Sequence, residues 1–221
     1  MTIEPVDRQR HRPVGVDLAG LARAAAAGAA TGGFAAWAYY DHVLNPVAHV
    51  FGLWIALLAV LSARREIRAA VARSTVGLMA AVIAFYVGKK LMYGVDYPGM
   101  PYSLNVEQIA VWLFLALVAG TLFGAAFSFI GTGANRGAAA GAAAIGLLLA
   151  DAYRRSTSYP DQTLVVAAVA LVGIIAILAV GTRHPRDVAR TFLWAIPLTP
   201  LALLVVSAPD ALEQVLLTGG F

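Results

Sequence analysis

Long apolar stretches alternate along the chain with short polar segments that carry charges, prolines and glycines. Each stretch is about 17 to 24 residues long, and about 20 apolar residues are needed for one transmembrane helix. The pattern therefore predicts seven membrane-spanning helices joined by short loops. The predicted spans cover residues 24–40, 47–63, 75–93, 107–130, 137–153, 163–181 and 190–206.

The first predicted span is the least apolar, because alanine and glycine dominate it. A six-span arrangement, with this segment lying in the membrane interface, is the alternative. Lysine and arginine accumulate on the cytoplasmic side of short loops. With seven spans and a cytoplasmic N-terminus, twelve of the 16 basic residues lie inside and four outside. We therefore predict an all-α polytopic membrane protein, a seven-transmembrane-helix bundle with its N-terminus cytoplasmic and its C-terminus outside.

This topology divides the chain into three parts. Residues 1–20 form a cytoplasmic N-terminal tail, residues 21–207 the seven-helix transmembrane domain, and residues 208–221 a short outer C-terminal tail. The predicted N-terminal tail, residues 1–20, lacks the apolar core that a secretory signal peptide requires. Glycines four residues apart, as in Gly28/Gly32 and Gly120/Gly124, predict close approach of helix backbones. The predicted location is the cell membrane, as a multi-pass protein.

The composition excludes several classes of function. Hydrophobic residues make up 60% of the chain and charged residues 13%, whereas a soluble domain has about 25% charged residues. The chain has no cysteine, which excludes disulfides, thiolate nucleophiles and iron–sulfur clusters. The net charge of +4 is explained by residues that orient the helices, so no nucleic-acid partner is predicted.

Three acids, Asp41, Glu107 and Asp151, fall in the outer part of the predicted bundle. At about 1.5 Å per helical residue, Asp151 lies about 23 Å from Arg136, within a hydrocarbon core of about 30 Å. Ionisable groups at such depth normally face a protein cavity, which makes them functional candidates. Lys89 lies at a similar depth and could pair with Asp151 or extend to the lipid headgroups.

Aromatic residues surround these acids in the predicted bundle. Burial keeps a carboxyl group protonated, and aromatic faces stabilise cations. Together they suit protonation of an alkene or epoxide, followed by ring closure through carbocations. The predicted catalytic residues are Asp151, Asp41 and Glu107, and the predicted substrate-binding residues are Trp37, Tyr40, His49, Trp54, Tyr86, Tyr93, Trp112 and Tyr153. No cofactor is predicted, and no metal, because a metal site needs three or four placed ligands.

Two resemblances add to this prediction. An uncharacterised group of small actinobacterial membrane proteins is similar over about residues 40–153, through Leu44-Asn45-Pro46, Trp54, Phe85-Tyr86, Trp112, Gly120 and Gly124. That resemblance implies no activity. The helix count, the size and the acid-plus-aromatic cluster also resemble the small actinobacterial membrane-bound terpene cyclases of drimane and indole sesquiterpene biosynthesis, and more distantly the fungal meroterpenoid cyclases. This second resemblance implies initiation of cyclisation by carboxylic acids.

The leading hypothesis is therefore a metal-independent isomerase, a terpene cyclase of terpenoid biosynthesis. Its substrate would be a lipid-soluble, farnesyl-bearing isoprenoid that enters from the membrane lipid. Asp151 or Asp41 would donate the proton, and Glu107 would act as a second acid or as the terminating base. One alternative is a small transporter or channel with an intramembrane gate formed by Asp151 and Lys89. The other is a non-catalytic membrane subunit; no oligomeric state is predicted.

Overall fold

The computed structural model describes residues 17–218, with side chains for 17–133 and 135–208. Within this range every regular element is helical, which confirms the predicted all-α class. The α-helices are α1 (Leu18–Tyr40), α2 (Asn45–Ala48), α3 (Gly52–Ser62), α4 (Ile67–Asp96), α5 (Val106–Phe127), α6 (Ala134–Ser158), α7 (Thr163–Gly181) and α8 (Pro185–Thr218). A short 3₁₀ helix, Pro160–Gln162, precedes α7.

Four helices in the described range are long and apolar enough to cross a membrane. These segments are Ile67–Asp96, Val106–Phe127, Pro160–Gly181 and Pro185–Ala208. Large apolar side chains on them are exposed, including Phe114 at 63% and Leu204 at 71%. Extended apolar surface is unfavourable in water and is typical of helices that contact lipid. The chain therefore has the features of a membrane protein.

The helices α1 and α6 are long but rich in alanine and glycine, with 23 and 25 residues. One face of each helix lies against other helices, although alanines on the other face of α1, such as Ala26 and Ala30, are exposed. In α6, Ala142, Ile145 and Leu148 are almost completely buried. Helices of this composition contribute close packing instead of a lipid-facing apolar surface.

The second predicted span, residues 47–63, is not one continuous helix. It consists of the four-residue α2 and the eleven-residue α3, with an interruption at His49–Phe51. Helix α3 is about 16 Å long, roughly half of a hydrocarbon core of about 30 Å. The predicted boundary at residue 207 also falls inside α8, which continues to Thr218. Of the predicted N-terminal tail, residues 1–16 lie outside the described range.

The helices pack in two groups joined by α3. Helix α4 packs between α1 and α5, while α6 packs against α7 and α8. Helix α3 contacts α4, α5, α6 and α7. The break before α3 therefore lies where the two groups meet.

Glycines form the contact between α1 and α4. A side chain at Gly28 would collide with the carbonyl oxygen of Gly77, and one at Gly32 with that of Ala81. Gly120 packs in the same way against α4. A Cβ atom at Gly120 would lie 2.6 Å from the Cα atom of Thr75. The close backbone approach predicted from the glycine spacing is confirmed.

Candidate functional site

Aromatic rings from α1, α3 and α4 meet beside the break between α2 and α3. The ring of Tyr39 lies 5.1 Å from that of Tyr40, 5.5 Å from His49 and 6.4 Å from Phe85. Phe85 in turn lies 6.5 Å from Trp54 and 5.5 Å from Tyr86. Centroid separations of about 4.5 to 7 Å are those of favourable aromatic pairs. We call Tyr39, Tyr40, His49, Trp54, Phe85, Tyr86 and Lys89 the aromatic–lysine cluster.

Lys89 supplies the positive charge of this cluster. Its Nζ lies 3.7 Å from the ring centroid of Tyr39 and 5.6 Å from that of Phe85. The Tyr40 hydroxyl donates to the Lys89 carbonyl at 3.2 Å, which joins the end of α1 to α4. Within residues 17–208 no carboxylate lies at ion-pair distance from the Lys89 ammonium. The ammonium therefore lies against ring faces, with no carboxylate of residues 17–208 as its ion-pair partner.

Half of the predicted substrate-binding residues belong to the cluster. Tyr40, His49, Trp54 and Tyr86 lie in it, and the other four lie elsewhere. Trp37 pairs with Phe34 and is 44% exposed, Tyr93 contacts Tyr97 and Tyr102, Trp112 packs against the core, and Tyr153 is 62% exposed.

The sequence prediction missed Tyr39 and Phe85 as site residues. One available signal is helical spacing: Phe85 and Lys89 are four residues apart, so they share a face of α4. Tyr39 precedes Tyr40 directly at the end of α1. Its ring contacts more members of the cluster than that of Tyr40 does.

Asp151 caps the interrupted helix. Its Oδ2 accepts the backbone N–H of Phe51 at 2.7 Å and that of Gly52 at 3.1 Å, at the start of α3. Only 1% of Asp151 is exposed. The first N–H groups of any helix lack intrahelical partners, and an unpaired N–H in an apolar interior is costly. The break before α3 leaves these two N–H groups without backbone acceptors. The carboxylate of Asp151, on α6, accepts them instead.

The ion-pair partner of Asp151 is Arg154, not Lys89. Arg154 Nη2 lies 3.5 Å from Asp151 Oδ1, on the same face of α6. The guanidinium carbon also lies 5.6 Å from the ring of Phe51. Among the described residues no ion pair joins Asp151 to Lys89, and a gate formed by these two residues stays a prediction.

Asp41 caps the turn after α1. Its Oδ1 accepts the N–H groups of Leu44 and Val43, both at 2.8 Å. These two hydrogen bonds hold the pKa of Asp41 below its ordinary value of 3.8. Asp41 is therefore ionised at neutral pH, whereas a general acid must be protonated.

This arrangement gives Asp41 a pH-dependent contribution to stability. A lowered pKa in the folded state means that the contribution is present above about pH 3.8 and is lost as the pH falls through the folded-state pKa. We expect Asp41→Ala to lower the melting temperature at pH 7 and the difference to shrink towards pH 3. Asp41→Asn, which keeps an acceptor, should lose less at pH 7. A difference between Asp41→Ala and the unmodified chain that stays constant with pH would contradict this assignment.

Glu107 lies in the first turn of α5, where its side chain is exposed. The neighbouring Asn105 is the N-cap and accepts the Gln108 N–H at 3.0 Å. A carboxylate in the first turn is favoured by the helix dipole. This position accounts for Glu107 without a catalytic role.

The three predicted acids therefore belong to three separate local arrangements. Asp41 caps a turn, Asp151 caps α3, and Glu107 lies on the surface of α5. The space beside Asp151 is narrow and lined by side chains such as Leu148 and Val166. Asp41 and Glu107 are not among the residues that line this space. In the described part of the chain no three His, Asp or Glu side chains are placed to hold a metal ion.

Comparison with known proteins gives a match to one family model. Residues 11–212 match a family of unknown function, DUF6518. The chain belongs to this family. No curated protein and no solved structure matches it. The matched region contains α1 to α7, most of α8 and the whole aromatic–lysine cluster, so this membership applies to the site as well as to the fold.

Proposed function

We propose that this DUF6518 member is a multi-pass cell-membrane protein with seven crossings, the second of them discontinuous. Seven helical segments separated by short loops support this proposal, with α2 and α3 together forming one segment. The distribution of basic residues, twelve against four, supports a cytoplasmic N-terminus and an outer C-terminus. In this orientation the aromatic–lysine cluster lies towards the outer side.

The proposed function is binding of an amphipathic, lipid-soluble ligand with an anionic head at the aromatic–lysine cluster. The observation that carries this proposal is the Lys89 ammonium, held 3.7 Å over Tyr39 with no carboxylate partner in the described chain. An ammonium has three N–H donors and forms its strongest hydrogen bonds with anions. The rings of Trp54 and Phe85 offer apolar surface for the rest of such a ligand.

Cyclisation through carbocations would place a positive charge in the same cluster. A carbocation over these rings would be repelled by the Lys89 ammonium, since like charges a few ångströms apart in an apolar site interact strongly. The carboxylate of Asp151 accepts hydrogen bonds at the start of α3, and the lowered pKa of Asp41 keeps that carboxylate ionised. Protonation by these acids stays a prediction of the sequence. We rank ligand binding ahead of it.

Transport is a second candidate, favoured by the discontinuous crossing. Many transporters bind their substrates where a membrane-spanning helix is interrupted. Here the interruption at His49–Phe51 adjoins the cluster, since the His49 ring contacts Tyr39. A carrier of this kind would bind its ligand at the cluster and release it on the other side of the membrane.

Farnesyl phosphate and farnesol provide a direct test, because they share a tail and differ in the charge of the head. We expect the purified protein to bind farnesyl phosphate at least about tenfold more tightly than farnesol, since a charge-assisted hydrogen bond contributes about 1.5 to 3 kcal/mol. Lys89→Gln should remove this preference. Lys90→Gln, at the exposed neighbouring position, is the matched control and should keep it.

Three outcomes separate the hypotheses. Equal affinity for both compounds, or equal loss in the Lys89 and Lys90 variants, would contradict the proposed binding site. Movement of farnesyl phosphate across proteoliposomes, lost in Lys89→Gln, would support transport. Conversion of farnesol into isomers of unchanged mass would support the cyclase instead.

A further inference from the structure

A cavity of about 250 Å³ lies between the loop that joins α5 to α6 and the loop that joins α7 to α8. Its lining includes Thr132, Gly137, Thr182, Arg183, His184 and Asp187. In the proposed orientation this end of the bundle is cytoplasmic. The cavity is therefore separate from the aromatic–lysine cluster, which lies towards the outer side.

The ionisable residues that line this cavity are two basic ones and one acidic one. Arg183 and His184 line it directly. Arg64, in the turn between α3 and α4, contacts two lining residues: its backbone N–H donates to the Ile130 carbonyl at 3.0 Å, and its side chain packs against Gly131. Arg183 thus lines the cavity, and Arg64 packs against Gly131, which is one of the residues that line it.

The acidic residue of the lining, Asp187, is already engaged. Its Oδ2 accepts the backbone N–H groups of His184 at 3.3 Å and Arg183 at 3.4 Å, at the start of α8. In the described range neither the Arg183 nor the Arg64 guanidinium forms an ion pair with a carboxylate. The cationic groups at the cavity are therefore available to an anion from outside the chain.

The loop between α5 and α6 is shaped around this space. Gly131 and Gly133 have φ angles of +77° and +79°. Residues other than glycine rarely adopt these backbone angles. Gly133 has open space where a Cβ atom would lie. At Gly131 and Gly133 the loop therefore lines the cavity with backbone atoms.

We propose that this cavity binds a phosphate group, carried either by a small metabolite or by a lipid headgroup. Arginine is well suited to phosphate because its guanidinium presents several donors in one plane. The volume of about 250 Å³ is below the range of about 300 to 1,000 Å³ that is usual for drug-sized ligands. This size suits a monophosphate with a small substituent.

The experiment uses the full chain in micelles of a maltoside detergent, which carries no phosphate. Binding of inorganic phosphate and of glycerol 3-phosphate is measured by titration calorimetry. In a second arm, retention of phosphatidic acid is measured by native mass spectrometry after purification from mixed lipid. We expect Arg183→Gln to weaken whichever interaction occurs by at least about tenfold, the loss of one charge-assisted hydrogen bond.

Arg186→Gln is the matched control, since Arg186 is also exposed at the start of α8 but is not among the residues that line the cavity. Binding in the soluble arm identifies a free phosphate compound as the source, and binding in the lipid arm alone identifies a headgroup; either supports the proposal. Absence of binding in both arms overturns it, and so does equal weakening by Arg183→Gln and Arg186→Gln. Both positions are exposed, and a melting curve for each variant verifies that it is folded.

Discussion

Replacing Asp151 with alanine is expected to lower the free energy of unfolding by about 3 to 5 kcal/mol, the usual cost of removing one partner from a buried charge pair. The substitution leaves the N–H groups of Phe51 and Gly52 without acceptors and the guanidinium of Arg154 without its carboxylate. Asp151→Asn, which keeps one neutral oxygen as acceptor, should lose about 1 to 3 kcal/mol. Thermal unfolding of the purified protein in detergent measures both losses.

The matched control is Asp161→Ala. Asp161 lies at an exposed position of the 3₁₀ helix, where surface substitutions usually change stability by less than about 0.5 kcal/mol. Equal melting temperatures for the Asp151 and Asp161 variants would show that the cap is dispensable. An Asp151→Asn variant as stable as the unmodified chain, but unable to convert an isoprenoid, would instead identify a catalytic acid.

Replacing Gly28 with alanine is expected to separate α1 from α4 and to destabilise the protein by about 1 to 3 kcal/mol, as overpacking does. A Cβ atom at this position would collide with the carbonyl oxygen of Gly77, which is backbone and cannot rotate away. Gly28→Leu should be worse, because three more carbon atoms must enter the same contact. Unfolding curves for the two variants provide the measurement.

Gly33 supplies the control on the same helix. A Cβ atom at Gly33 meets nothing within 4 Å, and alanine is a better helix former than glycine by about 1 kcal/mol. Gly33→Ala should therefore leave stability unchanged or raise it slightly. If Gly28→Ala behaves in the same way, the helices α1 and α4 do not approach each other as closely as the contact between Gly28 and Gly77 requires.

The helical class and the positions of the segments could be predicted because both follow from local properties. A run of about 20 apolar residues forms a helix in a membrane wherever it occurs, since every backbone group must find a partner within its own segment. The glycines at positions 28 and 32 predicted a close helix contact for a similarly local reason. Neither prediction depends on a distant part of the chain.

The interruption of the second span could not be predicted in this way. Residues 49–51 read His-Val-Phe, which is apolar enough to continue a helix. What permits the break is an acceptor that lies 100 residues further along the chain, at Asp151. The sequence correctly marked Asp151 as an unusual buried charge, but its depth alone did not distinguish a proton donor from a cap.

The aromatic–lysine cluster was predicted in part. Depth and residue type selected Tyr40, His49, Trp54 and Tyr86. The same criteria also selected Trp37 and Tyr153, which are exposed on their helices. The side of a helix that faces its neighbours depends on packing, which a single sequence with strongly apolar helices specifies weakly.

The cap on α3 has a consequence for the order in which the protein is made. Phe51 and Gly52 leave the ribosome long before Asp151, so the start of α3 has no acceptor for its N–H groups during early synthesis. Water, or the proteins that insert nascent chains, must solvate this point until α6 arrives. The two hydrogen bonds at the start of α3 can therefore form only after Asp151 of α6 has been translated.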